Sequence, residues 1–153
     1  MLIVKTKIRS SKLHGIGIFA DQDIPKGTVV WEFNSSIDKI YTERDIKSLP
    51  PLSRQMIKHY GWKSVEGNMV LCGDDARFFN HSVDANCSEL NDVTIAERNI
   101  KRGEELTENY CQFDNAWKDK HIILTPEEKE LLAKRGLLTD TDKLVFPRKV
   151  KQL

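Results

Sequence analysis

Eleven residues, Arg77 to Cys87 (RFFNHSVDANC), constrain this chain more than any other stretch. They gather a guanidinium, two adjacent aromatic rings, two side-chain amides, an imidazole and a thiol. Neither the 3.6-residue period of an amphipathic helix nor the two-residue alternation of a half-buried strand runs through them. Such a segment fits neither ordinary core nor ordinary surface. Asn80 and His81 admit two readings: a buried polar pair capping a turn, or part of a binding site.

Composition narrows the field around this run. With 153 residues and 39% hydrophobic content, the chain suits one domain with a real core. The 24 basic and 23 acidic side chains nearly cancel, so direct nucleic-acid binding is not expected. No apolar run approaches the roughly 20 residues that span a bilayer, and Met1 to Arg9 lacks a secretory h-region, so no membrane association is expected. Cys72, Cys87 and Cys111 cannot all pair within one chain and form no Cys-x-x-Cys, which points to free thiols and an intracellular location, cytoplasm or nucleus.

The first half alternates short β-rich runs with turn residues. Leu2 to Val4, Gly17 to Ala20 and Thr28 to Phe33 read as strands, with a Pro25-Lys26-Gly27 turn before the third. Thr42 with Asp45 caps a short helix that Pro50-Pro51 breaks. Leu52, Met56, Ile57 and Tyr60 fall at helical spacing, and Gly61 is expected to end that helix in a left-handed conformation. Asn68 to Cys72 and Val93 to Ala96 read as further strands, separated from their neighbours by the turns Gly73-Asp74-Asp75 and Ile100 to Glu104. Thr125-Pro126-Glu127-Glu128 forms a capping box for a C-terminal helix ending near Gly136.

Three segments in order carry a resemblance: His14-Gly15-Ile16-Gly17-Ile18-Phe19-Ala20, then Asn80-His81-Ser82 with Asn86-Cys87, then Glu105-Leu106-Thr107-Glu108-Asn109-Tyr110. Together they resemble the SET-domain protein lysine methyltransferases. The resemblance implies a mainly β fold with short helices, a SET-domain β-clip whose chain threads under a loop in a pseudoknot-like active site. It assigns residues 3–115 to the domain, with a variable helical insertion at 35–66, and 116–153 to a C-terminal helical tail. The implied activity moves a methyl group from S-adenosylmethionine to a lysine amine of a protein substrate, leaving S-adenosylhomocysteine.

That chemistry requires a held sulfonium donor, a neutral amine, an in-line approach and exclusion of water. A free lysine, with its pKa near about 10.4, is protonated at neutral pH unless desolvated or close to positive charge. The resemblance assigns donor binding to Gly15, Ile16 and Gly17 and to main-chain groups of Arg77 and Phe78. Asn80, His81 and Tyr110 join them. Tyr110 is the implied catalytic residue, orienting amine or donor without adding charge. Asn86 and Cys87 are implied to stabilise the knot. Trp31 and Phe33 fall where relatives place channel aromatics, although a one-residue shift of their strand would change which ring faces inward. Either Phe113 or Trp117 is available to stack on the adenine.

Bland alternatives stand beside these roles. A Gly-x-Gly alone is a tight turn, and it lacks the third glycine of a dinucleotide fingerprint. A Cys87–His81 nucleophilic pair shows no third orienting residue. The chain also departs from the family. Val83 replaces a common Cys, and Cys111 is the sole Cys after Tyr110, so no post-SET zinc site and no other metal is expected. The C-terminal helix would close the donor site instead. Asn109 stands where Asp is usual, and Glu108 where many relatives carry the Phe or Tyr that tunes methylation degree. Asp84, Glu89, Asp92, Glu97, Glu104, Glu105 and Glu108 are either a groove for a basic substrate or a solvated face. A homodimer is compatible with the resemblance. A catalytically silent SET module and a β-rich scaffold without donor binding are the competing functions.

Overall fold

Ile18, Ile24, Val30, Ile100 and Leu106 are almost wholly buried, and strands from both halves of the chain converge on them. The computed structural model describes residues 1–90 and 93–114, together with positions 130, 133 and 134. Strands β1 (Thr6–Ser10) and β2 (Ile16–Ala20) form an antiparallel hairpin. Next come β3 (Val29–Glu32), β4 (Lys39–Tyr41), helix α1 (Glu43–Ser48), helix α2 (Pro51–Tyr60), β5 (Trp62–Lys63) and β6 (Met69–Leu71). A 3-10 turn (Asp75–Phe78) leads to β7 (Asn80–His81), β8 (Cys87–Leu90), β9 (Val93–Ala96), β10 (Thr107–Glu108) and a last 3-10 turn (Tyr110–Gln112). Five strands make the central sheet in the order β3-β9-β8-β10-β7, and β4-β6-β5 make a smaller one.

The mainly β architecture with few short helices agrees with the sequence expectation. Thr42 and Asp45 form a reciprocal capping box on α1, and Pro51 sits at the first position of α2. Gly27 takes φ +82° in the predicted turn.

Two local expectations need correction. Leu2 to Val4 is not a regular strand: Leu2 makes an isolated bridge to Trp31, and the hairpin strand is the polar Thr6–Ser10. Gly61 is extended, at φ −91° and ψ 160°, rather than left-handed. A Cβ there would lie 2.6 Å from the Ile57 carbonyl oxygen and 2.9 Å from that of Val70. Glycine thus serves the tight approach of α2 to β6, not a left-handed torsion.

Helices α1 and α2 pack onto β6 through a second small core of Ile46, Ile57 and Leu71. Of the four apolar residues at helical spacing in α2, only Ile57 is buried. The C-terminal helix expectation lies outside the described residues, except that positions 130, 133 and 134 are helical.

Candidate active site

The site begins with a threaded strand. Strands β7 and β8 are linked only by residues 82–86, yet β10 lies between them, parallel to both, with Thr107 opposite Asn80 and Glu108 opposite His81 and Cys87. Asn86 fastens this crossing. Its amide nitrogen donates to the Glu105 carbonyl (2.8 Å), its side-chain oxygen accepts from the Thr107 N–H (2.9 Å), and its own N–H donates to the Thr107 hydroxyl (3.3 Å). Buried polar groups need such partners, and two-residue strands cannot hold a crossing without them. The Cys87 thiol donates to the Asn86 side chain (3.6 Å), and burial pushes its pKa far up. It therefore stays a protonated thiol, which removes the Cys87–His81 nucleophile.

Asn80 draws in the loop between β1 and β2. Its amide nitrogen donates to Glu105 Oε1 (2.7 Å) and to the carbonyls of Ile16 (3.1 Å) and His14 (3.2 Å). The other Glu105 oxygen accepts from the Ser11 hydroxyl (2.9 Å), so one carboxylate clamps both ends of the loop. Gly17 is required by this closeness: a Cβ would lie 2.2 Å from Glu105 Oε1 and 2.8 Å from Asn80 Nδ2. Gly15, at φ +50°, has nothing within 4 Å of where a Cβ would point. Arg77 and Phe78 lie in the adjoining 3-10 turn. There the guanidinium turns back onto the Asp74 carbonyl (3.1 Å) and over the Phe78 ring (5.6 Å).

His81 and Tyr110 meet across the threaded strand, ring centroids 5.4 Å apart. The Tyr110 N–H donates to His81 Nδ1 (3.2 Å), which puts the neutral imidazole's proton on Nε2. The Tyr110 hydroxyl donates to the Phe79 carbonyl. Burial, then the nearby Glu108, Asp114 and Cys72, push its pKa well above the ordinary phenol value. Tyr110 is thus an uncharged phenol at any physiological pH.

Tyr110 also lines a cavity of about 120 Å3, the same order as the ~150 Å3 that holds a benzene-sized molecule. Its walls include the aromatic rings of Trp31, Tyr60, Trp62, Phe79 and Phe113, three carboxyls, Glu89, Glu108 and Asp114, and the basic side chains of Lys58 and Arg77. A β-bulge between Val29 and Trp31 turns consecutive residues inward, so Val30 enters the core while Trp31 lines the cavity. Phe33 lies beyond the strand, partly exposed, and is not among the cavity's lining residues.

Glu108 is 7% exposed and accepts a hydrogen bond from the Thr94 hydroxyl (2.7 Å). Burial raises its pKa to about 7, with Glu89 adding to the rise and the Thr94 bond opposing it. Asn109 is buried and caps the last 3-10 turn, its side-chain oxygen accepting from the Cys111 N–H (3.1 Å). An Asp would cap that turn in the same way, so this departure leaves the local geometry intact.

The donor-binding candidates Gly15, Ile16, Gly17, Asn80 and His81 are therefore linked, the loop to Asn80 and His81 to Tyr110, and Trp31 shares the cavity lining with Tyr110. Phe113 packs edge-on against Trp62 (5.5 Å) and Tyr110 (5.8 Å), while Trp117 and Asp92 lie outside the described residues. The acidic residues do not form one groove: Glu104 pairs with Arg98 (2.6 Å), Glu97 accepts from Ser88, and Glu105 holds the loop. Only Glu89 and Glu108 of that set line the cavity. Sequence reasoning missed Thr94, Cys72 and Asp114. The alternation of Val93 to Ala96 places Thr94 on the buried face with Ala96, a legible signal; Asp114 had none. Among the described residues, no group of three or more His, Cys, Asp or Glu is arranged to hold a metal ion, and no helix is long and apolar enough to cross a membrane.

A β-rich domain with a strand threaded between β7 and β8, an Asn-His pair at the crossing and a tyrosine beyond it defines the SET-domain class. The SET domain model matches residues 15–111, and the chain belongs to that family. It is 31% identical over 119 residues to an H3 lysine-36 specific histone-lysine N-methyltransferase of Mycosarcoma maydis, covering 70% of this chain and 12% of that protein. It is also 32% identical over 123 residues to human histone-lysine N-methyltransferase 2D, covering 68% of this chain and 2% of that protein. The chain spans a small part of these curated relatives. A humanized mutant of Chaetomium thermophilum Polycomb Repressive Complex 2 shares the fold, with a TM-score of 0.55 and 24% identity over 73% of this chain and 15% of that one.

Proposed function

We propose that this chain is a protein-lysine N-methyltransferase that uses S-adenosylmethionine. One observation carries the reading: Tyr110 contacts His81 of the Asn80–His81 pair and also lines an aromatic, carboxyl-bearing cavity. A donor site and an acceptor channel that share one phenol are what transfer between two bound molecules requires.

The residues present fit the donor. Asn80 spends its amide nitrogen on the loop, and its side-chain oxygen accepts no hydrogen bond among the described residues, so that oxygen is open to a donor ammonium. Beyond Gly15 the loop faces open space. Bound S-adenosylmethionine supplies an electrophilic methyl group on a sulfonium and leaves as S-adenosylhomocysteine. Gly15 to Gly17 would hold it through main-chain groups, with Arg77, Phe78, Asn80 and His81 beside them. Tyr110 remains uncharged; with its hydroxyl proton held by the Phe79 carbonyl, the hydroxyl oxygen would accept from and orient the amine or the donor, while its ring helps to exclude water. The aromatic walls tolerate a cation and dry the lysine as it enters.

The relatives' names support a lysine-bearing protein, histone-like in its basicity, as substrate. The buried thiols of Cys72 and Cys87, which form no disulfide, support an intracellular setting. The test is mass spectrometry of cell-lysate proteins incubated with the purified chain and isotopically labelled donor. Labelled methyl-lysine is expected. Donor binding without any label would favour a silent module, and no donor binding a plain scaffold.

A further inference from the structure

Resting on that reading, we infer that Glu108 is the proton acceptor for the target lysine. Glu108 and Tyr110 line the same cavity, the one that would admit the incoming ammonium on that reading. Among the described residues only the Thr94 hydroxyl hydrogen-bonds this carboxyl, and no cation pairs with it. Lys58 and Arg77 also line this cavity but neither forms an ion pair with Glu108, so the buried carboxyl lacks the partner that such groups ordinarily have, and a lysine ammonium is a partner that fits. Trp31 lines the same cavity and is buried, and its indole N–H has no acceptor among the described residues. A lysine ammonium has only donors and does not fill it, so this N–H calls for an acceptor, such as a water or a peptide carbonyl, beside the lysine.

The proton balance is simple. One N–H bond of the ammonium breaks, an O–H bond forms on Glu108, and the nitrogen keeps the electron pair. That pair forms the new N–CH3 bond while the S–CH3 pair returns to sulfur. Glu108 then releases its proton through the cavity mouth to solvent. A base works best when its pKa lies near the working pH, and burial has brought this carboxyl to about 7. The ionisable groups around it are Cys87 and Glu89 on β8, His81 on β7, Cys72 after β6, and Tyr110 and Asp114 beyond β10. Arg77 comes from the 3-10 turn, and Lys58, His59 and Tyr60 from α2. Cys72, Cys87 and Tyr110 have pKa values raised far above neutrality. They do not exchange protons in the working range.

Single-turnover transfer from S-adenosylmethionine to core histones, measured from pH 5.5 to 9, tests the role. The parent rate should rise through a limb near pH 7. Glu108→Gln should lose that limb and fall about 100-fold at pH 7, with donor affinity in calorimetry unchanged. Thr94→Val, which removes the bond that lowers the carboxyl's pKa, should move the limb upward without abolishing it. Carbon-13 NMR of the donor-free protein should show one carboxyl titrating near 7, absent from Glu108→Gln and moved down by saturating n-butylammonium. Parent transfer with the same rate and limb in Glu108→Gln would overturn the role alone; so would an unmoved limb in Thr94→Val if Glu108→Gln does not fold. No parent transfer to any lysine would overturn the methyltransferase reading and this role with it.

Discussion

Tyr110 touches both halves of the site, so its hydroxyl is the atom whose removal is most informative. Tyr110→Phe should slow methyl transfer roughly 100-fold, the worth of one hydrogen bond of about 3 kcal/mol at the reacting centre. Asn86 is a different case: it reaches no cavity, and its work is the crossing itself. Asn86→Ala would strand the Thr107 N–H and the Glu105 carbonyl, and should cost about 2–4 kcal/mol in urea unfolding. Asn80, His81, Asn86 and Tyr110 were legible in the sequence because they sit at fixed spacing within two short segments. Thr94, Cys72 and Asp114 were not, because they reach the cavity from separate elements that meet only in the folded chain. Glu108 was visible as an oddity, but its environment was not.

At the scale of elements, legibility followed length. The strands around Ile18, Val30 and Ile95 carry enough β-branched residues to declare themselves. Strands β7 and β10, two residues each, carry no period at all and exist because Asn86 and their neighbours pair with them. The polar β1 was missed for the opposite reason: it is an exposed edge whose side chains face water. In α2 the apolar spacing was real, yet Leu52 is 80% exposed, so periodicity located the helix without locating its buried face. The β1–β2 loop offers the clearest element-level test. Gly17→Ala should push the loop off Asn80 and Glu105 and lower donor affinity at least roughly 10-fold, read by calorimetry, because a displacement of about 1 Å at a positioning loop is costly.

Across the whole molecule, the carboxyls oppose one another in pH. Burial alone would raise Asp38, but the Gly73 and Asn34 N–H groups and the terminal amine outweigh it and hold its pKa low. Its stabilisation is present above the ordinary Asp value and is lost as pH falls through the folded value. Glu108 has the reverse sign. Between its ordinary value of 4.5 and about 7 the folded protein keeps a proton that the unfolded chain has released. Stability from this group therefore falls as pH rises, by up to about 3 kcal/mol. Glu108→Gln should accordingly gain stability over the parent at pH 8 and little at pH 4.5, read from urea midpoints at the two values. Equal differences at both would contradict the buried, proton-holding carboxyl.

The central claim is that two bound molecules meet at Tyr110. The most direct test measures labelled methyl transfer to lysine by the parent and by Tyr110→Phe, with donor affinity determined on the same samples. The account predicts measurable transfer in the parent, a drop of roughly 100-fold in the variant, and donor affinities that agree within a few-fold. Transfer at parental rate in the variant, or donor binding lost in step with activity, would contradict it.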